Sequence, residues 1–442
     1  MSSPASTRTP LPEGTLPVAA ALLIAGTATY AFFKIGTWAV GGEDEFNSIS
    51  ALWFATFALA PGFFIPLEQE LGRALAHRRA IGQGGRPVVQ RILRLGLILV
   101  AVVVIAILCL SPIITADYFD GDWVMLVALV VAFAAYAPAH VARGISSGSG
   151  RFRSYAIVLG TDGVVRIVLC VALAVIGISS TGPYGFAVAL APLVGVGYVF
   201  SRGYLKTDTG PESTWKEVTP NLGWLLLGSV FAASLLNAGP IATTLLVDTS
   251  QPEEKAMATQ FAYGVLLARI PLFMFQAVQA ALLPRLSRLA ARGELDEFRA
   301  GLKRLMVVVL GVGIVGTLGA LVLGPFAIDL VYGADDLTGR TLAMLALGSA
   351  CYMVALGLAQ AVIALHGHAL VAVGWIIGVI VFLLGTWLSS DDPFRRVEIG
   401  LVLSSMASMI AFAVFLWMRL NSGDRPDNSS VLEAITDMPL ES

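Results

Sequence analysis

An arginine near the centre of a long apolar stretch is the residue of this sequence with the clearest chemical meaning. Arg269 lies within residues 258–283, which are long and apolar enough to cross a bilayer. A charge at that depth costs roughly 2.5–3.5 kcal/mol even on a lenient insertion scale, so Arg269 needs a partner or a water-filled cavity. It is either a structural arginine bonded to carbonyl groups of a neighbouring helix or an anion ligand that faces a cavity. We favour the anion ligand, because Arg269 shares a small, polar helical face with Gln276, with Gln279 at its margin. Pro271 is expected to kink the helix and free a carbonyl group.

Other polar side chains within apolar stretches could also contact a substrate. Lys34 lies on a helical stripe with Tyr30, about 10 Å of helix from the outer end of its stretch, so it either reaches the outer interface or faces a cavity. Asn237 either contacts a substrate or makes an ordinary hydrogen bond between helices, and we favour the hydrogen bond. Asp162 and Arg166 are four residues apart, so they can pair on one helical face. A neutral pair is the simpler interpretation, and a proton or ion coupling site is its alternative.

No pattern in the sequence indicates catalysis or a bound cofactor. There is no nucleophile with a nearby base, no zinc-ligand spacing, no P-loop and no dinucleotide-binding glycine fingerprint. The three cysteines, Cys109, Cys170 and Cys351, all lie in apolar stretches and are typical core residues. We therefore predict a protein that is not an enzyme, holds no metal or cofactor, and binds no nucleic acid.

Apolar stretches of about 20 residues must position these side chains. Hydrophobic residues make up 57% of the chain and charged residues 13%, against about 25% charged residues in soluble domains. This composition predicts an all-α polytopic membrane protein with about twelve transmembrane helices. The predicted spans are residues 17–40, 49–71, 92–113, 122–142, 154–177, 183–201, 222–246, 258–283, 304–331, 341–365, 369–389 and 398–418.

The distribution of basic residues predicts the orientation. Most Lys and Arg fall in every second loop, above all in 72–91 and 284–303, whereas the intervening loops are short and acidic. Because Lys and Arg collect on the cytoplasmic side, both termini are predicted to be cytoplasmic, in a multi-pass protein of the plasma membrane. Leucines are interspersed in the two basic loops, which predicts amphipathic helices that lie on the anionic lipids of the inner leaflet.

The sequence also contains an internal repeat. Leu71 corresponds to Leu283 at an offset of 212 residues, and Pro112 corresponds to Pro325 at an offset of 213. Similarity at a constant offset indicates two copies of a six-span unit, and an even number of spans gives both copies the same orientation. The predicted fold is therefore two parallel-repeat six-helix lobes around a central cavity. The predicted domains are a polar amino-terminal tail (1–16), an N-lobe of spans one to six (17–202), a cytoplasmic linker (203–220), a C-lobe of spans seven to twelve (221–419) and a disordered carboxyl-terminal tail (420–442).

Three stretches carry a family resemblance. They are ARGISSGSGRFRSYAIVLGTDGVVRIVL (142–169), GVLLARIPLFMFQAVQAALLPRLSRLAARGELDEF (264–298) and GPFAIDLVYGAD (324–335). They resemble the segment between spans four and five, span eight with its following loop, and the end of span nine in O-antigen and capsule flippases. Those proteins form the polysaccharide-exporter branch of the multidrug/oligosaccharidyl-lipid/polysaccharide (MOP) flippase superfamily. The resemblance implies two lobes that alternate between inward-open and outward-open states, with cationic cavity residues at the positions of Lys34 and Arg269.

The same resemblance implies a function. The expected cargo is a polyprenyl-pyrophosphate-linked oligosaccharide, a precursor of cell-surface polysaccharide, carried from the inner to the outer leaflet. Other membrane proteins of polysaccharide assembly are candidate partners. Twelve spans favour a cargo other than the peptidoglycan precursor. The first span lacks the arginine-rich motif of peptidoglycan-precursor flippases, so their headgroup site does not carry over directly to this sequence. One alternative is a MATE-like exporter of drugs or metabolites, which is disfavoured because Lys34 repels cationic cargo. The other is an integral-membrane glycosyltransferase or polymerase, which usually needs a larger outer loop.

Overall fold

The part of the chain that the structure describes is almost entirely helical. The computed structural model describes residues 15–218, 222–248, 250–272, 275, 286, 289–290, 292–334 and 336–421. Almost all of both predicted tails, the second half of predicted span eight, Gln276 and Gln279 lie outside these residues.

The described residues form twelve long helices. Eleven of them are long and apolar enough to cross a membrane. The described part of α8 is shorter, because predicted span eight continues into residues outside the described set. The all-helical, polytopic fold class is therefore confirmed. The helices are α1 (Thr15–Val40), α2 (Glu43–Ala80), α3 (Arg86–Cys109), α4 (Trp123–Gly148), α5 (Phe152–Ile176), α6 (Thr181–Ser201), α7 (Leu222–Leu246), α8 (Pro252–Ala268), α9 (Leu295–Tyr332), α10 (Gly339–Ala364), α11 (His368–Leu388) and α12 (Pro393–Asn421).

Helices α2 and α9 extend beyond the spans predicted for them. Each is one continuous helix of 38 residues, whereas the predicted spans cover only 49–71 and 304–331. The basic residues 72–80 and 295–303 therefore continue these helices. Residues 72–80 and 295–303 are therefore not separate helices, because the helical backbone runs on from the apolar span without a break. Their predicted contact with the inner leaflet stays a prediction.

The helices pack in two groups of six. In the first group α2 packs on α4 and α1 packs on α5, and in the second α10 and α11 both pack on α12. We call α1–α6 the N-lobe and α7–α12 the C-lobe. Helix α2 also packs on α7 and α8, so it is the main surface of the N-lobe towards the C-lobe. Aromatic side chains fill the N-lobe beside this surface, where the ring of Phe33 contacts those of Phe46, Trp53 and Phe54.

The predicted linker is held against the N-lobe by a buried arginine. Arg78 is only 3% exposed, and its guanidinium donates to the two carboxylate oxygens of Glu217 at 2.6 and 2.9 Å. It also donates to the carbonyl oxygens of Pro211 at 2.8 Å and Glu212 at 3.2 Å. Burial raises the pKa of the Glu217 carboxyl, but the hydrogen bonds and charge of Arg78 outweigh this effect and hold the pKa below its ordinary value. Residues 203–218, which we call the strap, therefore pack as part of the N-lobe.

Candidate functional site

Arg269 lies where helix α8 ends. The helix runs to Ala268, and the backbone N–H of Arg269 donates to the carbonyl of Leu266 at 3.1 Å, which closes a tighter turn. Pro271 follows two residues later and has no N–H to continue the helical ladder. The break expected at this point is therefore present, and it places the arginine at the edge of the C-lobe, against α2 and α7.

The side chain of Arg269 is bonded to neutral groups. It is 7% exposed, its Nη1 donates to Oδ1 of Asn237 at 3.2 Å, and its Nη2 donates to the carbonyl oxygen of Leu236. The guanidinium carbon lies 5.6 Å from the centre of the Phe54 ring, a cation–π distance. Within the described part of the chain no carboxylate pairs with Arg269. The hydrogen bonds of the structural interpretation are thus present, and the positive charge is left without an anion among these residues.

Two prolines explain why the neighbouring carbonyl groups can accept these hydrogen bonds. A helical carbonyl normally accepts from the N–H four residues later, and proline has none. Pro240 follows Leu236 by four residues, so the Leu236 carbonyl is free to accept from Arg269. Pro61 follows Phe57 by four residues in α2, and the freed Phe57 carbonyl accepts from Nδ2 of Asn237 at 3.2 Å. A run of hydrogen bonds therefore crosses from the C-lobe to the N-lobe at Arg269.

The first helix reaches the same region. The hydroxyl of Tyr30 donates to the carbonyl of Leu266 at 2.9 Å, three residues before Arg269. Lys34, one helical turn further along α1, has an exposed side chain. The structure thus brings Tyr30, Asn237 and Arg269 together, as the sequence predicts for a shared site. The substrate-binding role of all three, and of Lys34, stays a prediction, and Gln276 and Gln279 lie outside the described residues.

Asp162 and Arg166 form the ion pair expected from their spacing. Nη2 of Arg166 lies 2.7 and 2.8 Å from the two carboxylate oxygens of Asp162, and 3.0 Å from the hydroxyl of Tyr136. The guanidinium also lies 4.4 Å from the centre of the Trp53 ring. These contacts neutralise both charges inside the N-lobe, and a coupling role for the pair stays a prediction.

The N-lobe contains a second buried charged cluster, around Glu68, whose pairing the sequence does not predict. Glu68 of α2 is 8% exposed, and its Oε2 lies 2.9 Å from Nδ1 of His140 and 2.7 Å from Nη2 of Arg143. Both Glu68 and His140 fall within predicted spans, and an ionisable residue in a span is itself a signal of function. The sequence therefore marks both residues as candidates, whereas it does not show that α2 pairs with α4.

Polar contacts also join the lobes near the start of α8, on the side predicted to face outward. Lys255 pairs with Asp120 of the loop that precedes α4. Nε2 of Gln260 donates to the carboxylates of Glu43 at 2.7 Å and Asp336 at 2.8 Å, one from each lobe. The hydroxyl of Tyr263 in α8 also hydrogen-bonds that of Thr37 in α1, and its ring contacts that of Phe33, so the lobes are closed against each other on this side.

Several solved structures share the fold of this chain. The inward-facing conformation of a multidrug resistance MATE family transporter of the MOP superfamily has a TM-score of 0.67, with 15% identity over 91% of this chain and 98% of that chain. A MATE transporter of Vibrio cholerae has a TM-score of 0.64, with 14% identity over 93% of this chain and 97% of that chain. A MATE structure in the straight conformation has a TM-score of 0.67, with 14% identity over 92% of this chain and 95% of that chain. These proteins are transporters rather than enzymes, and at such identities they show the fold.

A family model also matches part of the chain. The family model described as "Lipid II flippase MurJ" matches residues 215–433, slightly less than half of the chain, and the match includes Arg269. Comparison with curated proteins finds no match. Together the fold and the family match support membership of the MOP superfamily, and they do not single out its polysaccharide-exporter branch.

Proposed function

We propose that this protein is a flippase for a polyprenyl-pyrophosphate-linked oligosaccharide, which it carries from the inner to the outer leaflet by alternating access. The observation that carries this proposal is Arg269, a buried guanidinium at the lobe interface with neutral hydrogen-bond partners and no carboxylate among the described residues. A buried cation without an anion is the arrangement that an anionic headgroup completes.

A pyrophosphate can compete for this arginine. A phosphate carries a full negative charge that attracts the guanidinium, which a carbonyl oxygen lacks, and a guanidinium matches phosphate oxygens in a bidentate geometry. The carbonyl of Leu236 and the amide of Asn237 are weaker acceptors, so they can hold the arginine in the absence of cargo without blocking it. Lys34 and Tyr30 would contribute a second cation and a hydroxyl from α1.

The membrane potential favours the proposed direction of transport. Moving one negative charge outward across an inside-negative membrane is downhill by about 2.3 kcal/mol per 100 mV. This direction requires both termini to be cytoplasmic, in the plasma membrane, and that orientation is part of the proposal.

The proposal also includes domain boundaries at residues 202 and 220. The linker between these boundaries packs on the N-lobe through Arg78.

The comparisons support the lipid-linked class of cargo. The matched family is described as a lipid II flippase, and the match includes Arg269. A cell-surface polysaccharide precursor and a peptidoglycan precursor share the polyprenyl pyrophosphate, so Arg269 suits either glycan. We propose the polysaccharide precursor on the resemblance of residues 142–169, 264–298 and 324–335 to O-antigen and capsule flippases.

A second candidate is a MATE-like exporter of drugs or metabolites, because the similar solved structures are MATE transporters. Its usual cargo is cationic, and the positive charge of Arg269, which has no carboxylate partner among the described residues, disfavours a cation at the lobe interface.

A transport assay in reconstituted vesicles tests the proposal. Wild type is compared with Arg269→Ala and with Arg94→Ala, a control that removes an exposed arginine of α3. We expect flipping of a labelled polyprenyl-pyrophosphate glycan to fall at least about tenfold in Arg269→Ala, since one charge-assisted hydrogen bond contributes about 1.5–3 kcal/mol. Arg94→Ala should flip at the wild-type rate.

A second measurement, the uptake of a cationic dye, separates the candidate functions. Wild-type vesicles that flip the glycan but do not accumulate a cationic dye support the flippase, and the reverse supports the exporter. Undiminished flipping by a folded Arg269→Ala variant would remove the anion site from the proposal.

A further inference from the structure

We infer that cargo binding at Arg269 and separation of the two lobes are coupled through Asn237, because one run of hydrogen bonds serves both. The inference rests on the proposed function, in which an anionic headgroup binds Arg269. It assigns to Asn237 a positioning role instead of the direct substrate contact considered from the sequence.

Among the described residues, Asn237 links Arg269 to the N-lobe by hydrogen bonds, in addition to the cation–π contact of Arg269 with Phe54. Its Oδ1 accepts from Nη1 of Arg269 at 3.2 Å. Its Nδ2 donates to the Phe57 carbonyl of α2 at 3.2 Å and to the Ala233 carbonyl of its own helix at 2.8 Å. The amide is 3% exposed, so water does not substitute for these partners in the closed arrangement.

The prolines make these hydrogen bonds conditional on the lobe arrangement. Phe57 cannot form its ordinary helical hydrogen bond, because Pro61 lacks the N–H that would donate to its carbonyl. When the lobes are together, Asn237 satisfies that carbonyl. When α2 moves away from α7, the Phe57 carbonyl loses this donor, and the Asn237 amide is free to rotate away from Arg269.

Cargo binding acts on the same bonds from the opposite end. When a pyrophosphate accepts the hydrogen bonds of the Arg269 guanidinium, the amide oxygen of Asn237 loses its donor. The amide is then less restrained towards the Phe57 carbonyl, and the contact between α2 and α7 weakens. By thermodynamic linkage, lobe separation must raise the affinity of Arg269 for the anion by the same factor. A single interhelical hydrogen bond in a membrane protein corresponds to a change of about three- to tenfold in such an equilibrium.

The prolines of α2 allow a matched test. Pro61→Ala restores an N–H four residues after Phe57, so the carbonyl regains a helical partner and no longer needs Asn237. Pro66→Ala changes the neighbouring proline of the same helix and leaves the Phe57 carbonyl as it was. Asn237→Ala removes the bridging amide directly, so that two independent substitutions break the same link.

The measurement is the distance between spin labels on the two lobes, in the full-length protein in lipid nanodiscs. Ser179, between α5 and α6, and Asp391, between α11 and α12, are exposed and suit the labels. The probe is geranylgeranyl pyrophosphate, and its binding to each variant is measured separately by calorimetry.

We expect the probe to raise the separated population of wild type and of Pro66→Ala by about three- to tenfold. Pro61→Ala and Asn237→Ala should show a raised separated population without the probe and little further response to it. A response of Pro61→Ala equal to that of Pro66→Ala overturns the coupling. Binding to wild type without any change in distance overturns the coupling alone, whereas no binding to wild type overturns the proposed function together with it.

Discussion

The hydrogen bond between Arg269 and the carbonyl of Leu236 exists because Pro240 has no N–H, and this gives a prediction about two substitutions. Arg269→Met removes the donor and leaves the Leu236 carbonyl buried without a partner. Pro240→Ala supplies an N–H four residues after Leu236, within α7, and so restores a partner to the same carbonyl. The two substitutions should therefore compensate each other in the free energy of unfolding.

The expected magnitude follows from one carbonyl group. Leaving a buried acceptor unpaired costs about 1–3 kcal/mol, and interhelical hydrogen bonds in membrane proteins average about 0.6 kcal/mol with a maximum of about 1.7. We therefore expect a coupling free energy of about 1 kcal/mol between Arg269→Met and Pro240→Ala. The net effect of Arg269→Met alone is a poorer test, because removing a buried guanidinium also relieves the cost of its desolvation.

A double-mutant cycle measured by SDS titration in mixed micelles isolates the coupling. The control cycle replaces Pro240→Ala by Pro192→Ala, which changes the buried proline of α6 in the other lobe. The control pair should be additive within about 0.5 kcal/mol. If Arg269→Met and Pro240→Ala are equally additive, the Leu236 carbonyl is not the partner that Arg269 satisfies.

Two further outcomes follow from paired charges. Arg166→Met should destabilise the protein by about 3–5 kcal/mol, because it leaves Asp162 unpaired in the N-lobe. The double variant with Asp162→Asn should regain most of that loss in the same titration, and no recovery would contradict a neutral structural pair. The contact between Arg78 and Glu217 stabilises the strap above the ordinary glutamate pKa of about 4.3, and this stabilisation is lost as the pH falls through the lowered pKa of the folded state. Amide hydrogen exchange, corrected for its intrinsic rate, should therefore speed up in the strap below that pH, and Glu217→Gln should show the fast exchange already at pH 7.

The helices and their two lobes could be predicted from the sequence, because apolar runs of about 20 residues have few alternatives in a membrane. The lengths of α2 and α9 could not. Hydropathy falls at residues 72–80 and 295–303, so a hydropathy criterion ends each span before the helix ends. In α2 the continuation carries Arg78, whose partners in the strap lie more than 130 residues away. A contact of that separation leaves no periodic trace in the sequence.

The depth of Arg269 was also predictable, but its partners were not. A helical wheel identifies which face the arginine occupies, yet the groups that accept its hydrogen bonds belong to another helix. One of them, the Leu236 carbonyl, is a backbone group that residue type does not reveal. The position of Pro240 does reveal it, because a proline within a span always marks a carbonyl four residues earlier that needs another donor. The same rule applied to Pro61 points to Phe57, and thus to the place where the lobes meet.

The strap has a consequence for how this chain can be divided. Arg78 holds residues 211–217 on the N-lobe, and only three residues separate the end of the short helix Trp215–Val218 from the start of α7. A split protein or a chimaera cut at residue 203 would remove from the first half the groups that accept hydrogen bonds from its buried Arg78. A cut after Val218 would keep the contacts between Arg78 and the strap within the first half. The boundary between the two halves therefore lies after Val218, at the carboxyl end of the strap, and the strap should be kept with the N-lobe.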